Sequence, residues 1–127
     1  MNSHIKKVYM PMTETSFYIL LCLQTEAHGY RIVQQVEELT DGAIRISPGT
    51  LYGSLSKMER DGLIRFIREE EKRKLYKITV LGQEVLNLEI KRIRRLCRNI
   101  KEYQLKDYEE KIEATMLLSH NEIRNKK

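Results

Sequence analysis

Residues 47–60, SPGTLYGSLSKMER, gather hydroxyls, a phenol, an ammonium and two glycines into one short stretch. Serine at a helix N-cap accepts a hydrogen bond from an orphan backbone N–H, and proline at the first helical position gives up only an N–H that would be unpaired anyway. Ser47-Pro48 therefore predicts a helix start, and Asp61-Gly62 its stop. Leu51, Leu55 and Met58 then fall at i, i+4 and i+7 and define one buried stripe. The opposite side carries Gly49, Thr50, Tyr52, Gly53, Ser56, Lys57 and Arg60. Small hydroxyls beside a lysine suit hydrogen bonds to phosphate oxygens and base edges. A glycine inside a helix costs about 1 kcal/mol relative to alanine, so Gly53 on an outward face asks for a reason. Close approach of a groove wall is one reason and packing on another helix is the other; the residue pattern favours the groove.

Competing chemistry is sparse. His4, His28 and His120 lie far apart in sequence with no partner spacing for a metal, and His28 reads as a structural or capping residue in a turn. Cys22 and Cys97 are too few for a disulfide scaffold or a zinc module, and both read as small buried apolar residues. No nucleophile elbow, phosphate-cradling glycine loop or carboxylate pair is present, so neither an enzyme nor a cofactor is expected. The chain has 127 residues, 41% of them hydrophobic and 32% charged, which suits one folded domain. Its longest apolar run, Phe17 to Leu23, falls far short of the ~20 residues a membrane helix needs. A signal peptide is not expected either, and the chain reads as a cytoplasmic protein with no membrane partner. Of the net charge of +5, residues 1–62 contribute −1: six Lys/Arg stand there against seven Asp/Glu. The basic excess lies beyond, in Lys72-Arg73-Lys74 and in the run from Lys91 to Lys101, and it fits a phosphate-rich partner.

The elements around the central helix follow from periodicity. Residues 1–12 read as an N-terminal arm. Thr13 or Thr15 caps a first helix running to about Thr25, with Phe17, Leu20 and Leu21 at helical spacing. A second helix from about Tyr30 places Ile32, Val33, Val36 and Leu39 on one face and stops at Thr40-Asp41-Gly42. Ala43 to Ile46 reads as a short extended piece. After the helix at 48–60, Leu63–Arg68 and Lys74–Thr79 alternate as two strands, with Ile64 and Phe66 sharing a face, as do Tyr76 and Ile78. The connection lacks Gly and Asn, which predicts a four- or five-residue loop rather than a tight primed turn. Thr79 caps a long helix over about 80–104, and Leu86, Ile90, Ile93, Cys97 and Ile100 recur along it at alternating four- and three-residue steps, the spacing of a coiled-coil seam. Its arginines read as a solvated face. The helical pattern continues from Leu105 to Ser119.

The fold class is mainly α with a small β-hairpin: a winged helix-turn-helix plus a long C-terminal dimerisation helix. The divisions are an arm at 1–12, the winged domain at 13–79, a helical dimerisation region at 80–120 and a flexible tail at 121–127.

Several blocks together resemble the PadR family of bacterial transcriptional regulators: Tyr18-Ile19-Leu20-Leu21, His28-Gly29-Tyr30, Ser47-Pro48-Gly49-Thr50-Leu51-Tyr52, Gly62-Leu63-Ile64, and Lys74 to Thr79 with Gly82. The likeness spans residues 13–100 with order and spacing intact. It implies a homodimer that binds double-stranded DNA, often as a repressor of a neighbouring transport or detoxification operon, released in some members by a small aromatic or drug-like ligand. Carried onto this sequence, it makes Ser47, Thr50, Tyr52, Gly53 and Lys57 DNA contacts on the recognition helix. Tyr30, Arg73 and Lys74 become contacts to the DNA backbone. It adds Phe17 and Leu21 of the first helix to the dimer interface beside Leu86, Ile90, Ile93, Cys97 and Ile100. Two departures qualify it. The wing begins with Glu69-Glu70-Glu71, so its tip either points away from phosphates or is neutralised by Lys72-Arg73-Lys74. There is no Trp, so an effector pocket would draw on Phe17, Tyr18 and Tyr103 instead. The alternative is a protein-interaction module built on the same helical dimer, which the near-neutral first half favours.

Overall fold

Asn2 opens the chain by accepting the Ile5 N–H, and this cap starts α1 (Ser3–Tyr9). The computed structural model describes the backbone of residues 2–125 and the side chains of residues 2–104, 107 and 109–119. Residues 1–12, expected as an arm, thus contain a helix whose Ile5 and Tyr9, one turn apart, are both buried. Thr13 caps α2 (Glu14–Cys22), which ends at Leu23 rather than near Thr25. Its Ile19, Leu20 and Leu23 have no exposed surface, as expected of a helix with an unbroken apolar run. His28 caps α3 (Gly29–Leu39), which buries Ile32 and Val36. Asp41 and Gly42, both at positive φ, end it. The stretch after them forms no strand, although Ile46 is buried. Ser47 caps α4 (Pro48–Arg60), and Leu51, Leu55 and Met58 form its buried stripe as the spacing predicts.

The hairpin departs from expectation. Strands β1 (Ile64–Glu70) and β2 (Arg73–Ile78) are antiparallel, joined by a two-residue turn with Glu71 and Lys72 both at positive φ. That is the primed-turn geometry whose twist matches the strands, adopted here without glycine or asparagine. A bulge between Phe66 and Arg68 breaks the alternation: Ile64 and Leu75 are buried, whereas Phe66 is exposed and meets Tyr76 edge-on. Ala27 exchanges two backbone hydrogen bonds with Tyr76, and the Ile78 N–H donates to Leu23, so the segment after α2 pins β2 to the helices.

Helix α5 (Val80–Asn99) starts at Thr79, whose hydroxyl accepts the Gly82 N–H and donates to the Gly62 carbonyl. A Cβ on Gly82 would overlap the Leu63 carbonyl, so only glycine lets α5 begin this close to β1. The continuous helix expected over 80–104 is interrupted by a π-helical turn at Ile100–Gln104, after which α6 (Leu105–Asn125) enters the segment read as tail. Residues 126 and 127 lie outside the described residues. The chain divides into two compact units, Met1–Ile90 and Lys91–Lys127. Leu86, expected at the dimer seam, has no exposed surface and belongs to the core of the first unit with Val85; its side chain is already spent on its own chain. Cys22 is buried as expected, but Cys97 is exposed on the single chain.

Candidate nucleic-acid interface

Helix α4 is held from behind by its apolar stripe, which frees its other side. Ser47, Gly49, Thr50, Tyr52, Gly53, Ser56 and Lys57 are all exposed. A Cβ built on Gly49 or Gly53 would meet nothing within 4 Å among the described residues, so packing against them requires neither glycine. Packing on another helix of the same chain, the alternative use of Gly53, is therefore excluded for the described residues. The Ser47 hydroxyl accepts the Thr50 N–H at 3.3 Å and donates to the Thr50 hydroxyl at 3.1 Å, which orders the first turn. Near the C-terminal end, the Lys57 ammonium lies 5.5 Å from the centre of the Tyr9 ring. Tyr9 in turn donates its phenol to Asp61 at 2.7 Å, so α1 braces the end of α4.

The start of α3 packs against α4 at Gly29. A Cβ there would come within 2.9 Å of the Leu51 side chain and 3.3 Å of the Tyr52 hydroxyl, so the two helices are in close contact here. Around this junction opens a cleft of about 410 Å³ between α3, α4 and the wing, lined by Tyr30, Tyr52, Ser56, Lys72, Arg73 and Lys74 among others. Tyr30 is 58% exposed, with the His28 ring stacked at 6.4 Å on one hand and the Arg73 guanidinium 5.6 Å from its centre on the other. Sequence reasoning assigned Tyr30, Arg73 and Lys74 separately; the fold brings them to one cleft beside Tyr52. It missed His28 and Lys72 as members of the same cluster. The His-Gly-Tyr block was the available signal, since it sets His28 at the start of α3 two residues before Tyr30.

The acidic wing is largely compensated, though not only by Lys72-Arg73-Lys74. Arg68 donates to Glu70 at 2.8 Å and to Glu26 at 3.0 Å, while Glu69 and Glu70 stand opposite Lys74 and Arg73 across the hairpin. Burial holds the Tyr76 phenol above its usual pKa, with the nearby Glu59 carboxylate and then Tyr52 adding to it, so it stays neutral beneath the cleft.

The remaining predicted site residues are more scattered. Phe17 and Leu21 are half-buried against their own core, and Phe17 meets Tyr18 edge-on at 5.8 Å. Ile90 also packs on that core, whereas Ile93 is half-exposed and Ile100 exposed. Tyr103, 79% exposed, lines a separate hollow around the π-helical turn in the second unit with Asn99, Ile100 and Glu102. Among the described residues there is no group of three metal-ligating side chains, and no helix is long and apolar enough to cross a membrane.

Residues 19–88 match the model of the "Transcriptional regulator PadR-like family". The chain is 29% identical over 97 residues to an uncharacterised 37.1 kDa protein of transposon TN4556 from Streptomyces fradiae, covering 75% of this chain. It is 32% identical over 78 residues to the transcriptional regulator Rv3488 of Mycobacterium tuberculosis, covering 59% of this chain and 70% of that one. It spans only 28% of the length of the Streptomyces protein. Among solved structures, a PadR family transcription regulator from Clostridium difficile superposes with a TM-score of 0.62 at 25% identity, covering 72% of this chain and 98% of that one.

Proposed function

The chain belongs to the PadR-like family of transcriptional regulators, and from that premise we propose that it acts as a cytoplasmic homodimeric repressor that lays α4 into the major groove of an operator. The observation that carries this reading is the outward side of α4: seven small, hydroxyl-bearing or basic positions, open to solvent, with two glycines that no packing among the described residues demands. A helix with that surface fits a groove about 12 Å wide and offers donors to base edges. Tyr30, Arg73 and Lys74 flank it as contacts to the sugar-phosphate backbone. A two-fold dimer requires pseudo-palindromic half-sites about one helical turn (~10 bp) apart, or a multiple of that. Release by a small aromatic ligand, drawing on Phe17, Tyr18 or Tyr103, belongs to the same proposal. Members of this family are regulators and not enzymes.

A salt titration of binding to promoter duplexes tests it. Affinity should fall steeply with salt, and Lys57→Ala should weaken binding to every duplex and reduce the log–log slope by about one. Tyr52→Ala should damage specific binding more than non-specific binding. Undiminished operator affinity in both variants would remove α4 from the interface. No binding to any promoter-length duplex at low salt would turn the reading to a protein-interaction module, which the near-neutral first 62 residues would suit.

A further inference from the structure

A neutral imidazole has one lone pair, yet two N–H donors address His28. The Arg31 backbone N–H donates to Nδ1 at 3.2 Å, which is the bond that caps α3. On the far side of the ring, the Arg73 guanidinium nitrogen Nη1 stands 3.3 Å from Nε2. With Nδ1 committed to the cap, the ring proton sits on Nε2, so an imidazole N–H and a guanidinium N–H face each other as donors. An acceptor oxygen placed against both groups relieves this.

The surroundings favour an anionic acceptor. Tyr30 carries both donors, stacked on His28 and under Arg73, so they are held before anything arrives. Lys72, Arg73 and Lys74 line the cleft with Glu69, which stands opposite Lys74 on the hairpin, and Glu59 lies near Tyr76 beneath it. The cleft opens beside Tyr52 and Ser56 on the exposed side of α4, where a strand of duplex must pass if α4 enters the groove.

We infer that His28 and Arg73 form a two-donor clamp on one phosphate oxygen of duplex DNA, with the donor at His28 Nε2 set by the capping bond at Nδ1. The inference rests on the duplex-binding reading and adds a residue that reading leaves out. Phosphate chemistry is shared by a duplex and by free inorganic phosphate, and the position beside α4 assigns the duplex as the source.

Two isosteres separate the roles of the ring. His28→Asn keeps an acceptor for the Arg31 N–H but loses the distal donor; His28→Gln offers an amide N–H at the distal position but gives up the cap. Binding is measured by fluorescence anisotropy on a labelled promoter duplex of about four helical turns (~40 bp), with thermal melts of each variant. His28→Asn should melt as wild type and bind about tenfold more weakly with an unchanged salt slope, because a neutral donor displaces no counterion. Arg73→Gln should lose affinity and about one unit of slope, and the double variant should lose less than the two separate losses combined, since both groups grip one phosphate. His28→Gln should melt lower while binding more tightly than His28→Asn. Full affinity in a normally melting His28→Asn, or simple additivity in the double variant, would overturn the clamp while leaving duplex binding intact. Failure of the wild type to bind any duplex would instead defeat the underlying reading. Inorganic phosphate titrated against the wild type should compete only weakly; tight, His28-dependent phosphate binding with unaltered duplex affinity would reassign the site to a free anion.

Discussion

Tyr9 joins three parts of the molecule through one side chain. Its ring is buried with Ile5, its phenol donates to Asp61 at the end of α4, and its face lies under the Lys57 ammonium. Burial raises the phenol well above its ordinary pKa, and the hydrogen bond to Asp61 and that carboxylate's charge push the same way, against a smaller opposing effect of Arg60. Burial also raises the thiol of Cys22. Both groups keep their protons in the folded chain at a pH where the unfolded chain has lost them. Stability from this source is therefore complete below the unfolded values, about 8.5 for a thiol and about 10 for a phenol, and is lost as pH rises beyond them. Thermal melts from neutral to strongly alkaline pH should show a declining melting temperature. Tyr9→Phe should lower stability near neutrality by about 1 kcal/mol, the usual worth of one hydrogen bond, and flatten the decline above about pH 10. A variant with the same alkaline slope as wild type would show that the phenol takes no part in it.

At the scale of elements, glycine serves opposite purposes in neighbouring helices. Gly53 faces open space among the described residues, so Gly53→Ala should stabilise α4 by about 0.5–1 kcal/mol while weakening duplex binding, because the added methyl occupies the side proposed to approach the groove. Gly82→Ala should destabilise the fold by about 3 kcal/mol, since its Cβ would collide with the backbone carbonyl of Leu63 and not with a yielding side chain. Melting curves and anisotropy on both proteins check the pair; a stabilised Gly53→Ala with undiminished affinity would mean that the glycine admits no groove wall. What could be read in advance follows the same division between local and distant causes. Helix α4, its Ser47-Pro48 start and its two faces were legible because caps and periodicity are written in adjacent residues. Helix α1 was not, because seven residues carry too few apolar positions to announce a helix and depend on Ile5 and Tyr9 reaching a core built later in the chain. The tight turn at Glu71-Lys72 was hidden because the pairing of the two strands, and no turn residue, imposes its positive φ angles. Of the candidate site, each basic and aromatic member was visible singly. Their cleft was not, since His28 and Arg73 lie 45 positions apart and meet only once β2 is pinned beside α3.

For the whole molecule, the decisive quantity is apolar surface that one copy leaves uncovered. With Leu86 packed in the core of the first unit, the predicted seam keeps open surface at the partly buried Ile90 and at Ile93, Cys97 and Ile100. Leu96 and Ile100 are 42% and 56% exposed, and Met116, Leu117 and Leu118 on α6 are each 65% exposed. Large apolar side chains left open on helices mark an interface more often than a solvated surface, and the homodimer proposed above supplies a second copy to cover them. Ile93→Glu sets a carboxylate on that seam, where pairing would strip its water without offering a partner. Sedimentation or light scattering should then report a monomer, with the helical circular dichroism of the first unit retained. Duplex affinity should fall steeply as well, because two half-site contacts tied together act at high effective concentration and a lone α4 does not. A dimeric mass for a normally folded Ile93→Glu would move the interface to α2, where Phe17 and Leu21 remain partly open, and Leu21→Glu would then be the variant expected to yield the monomer.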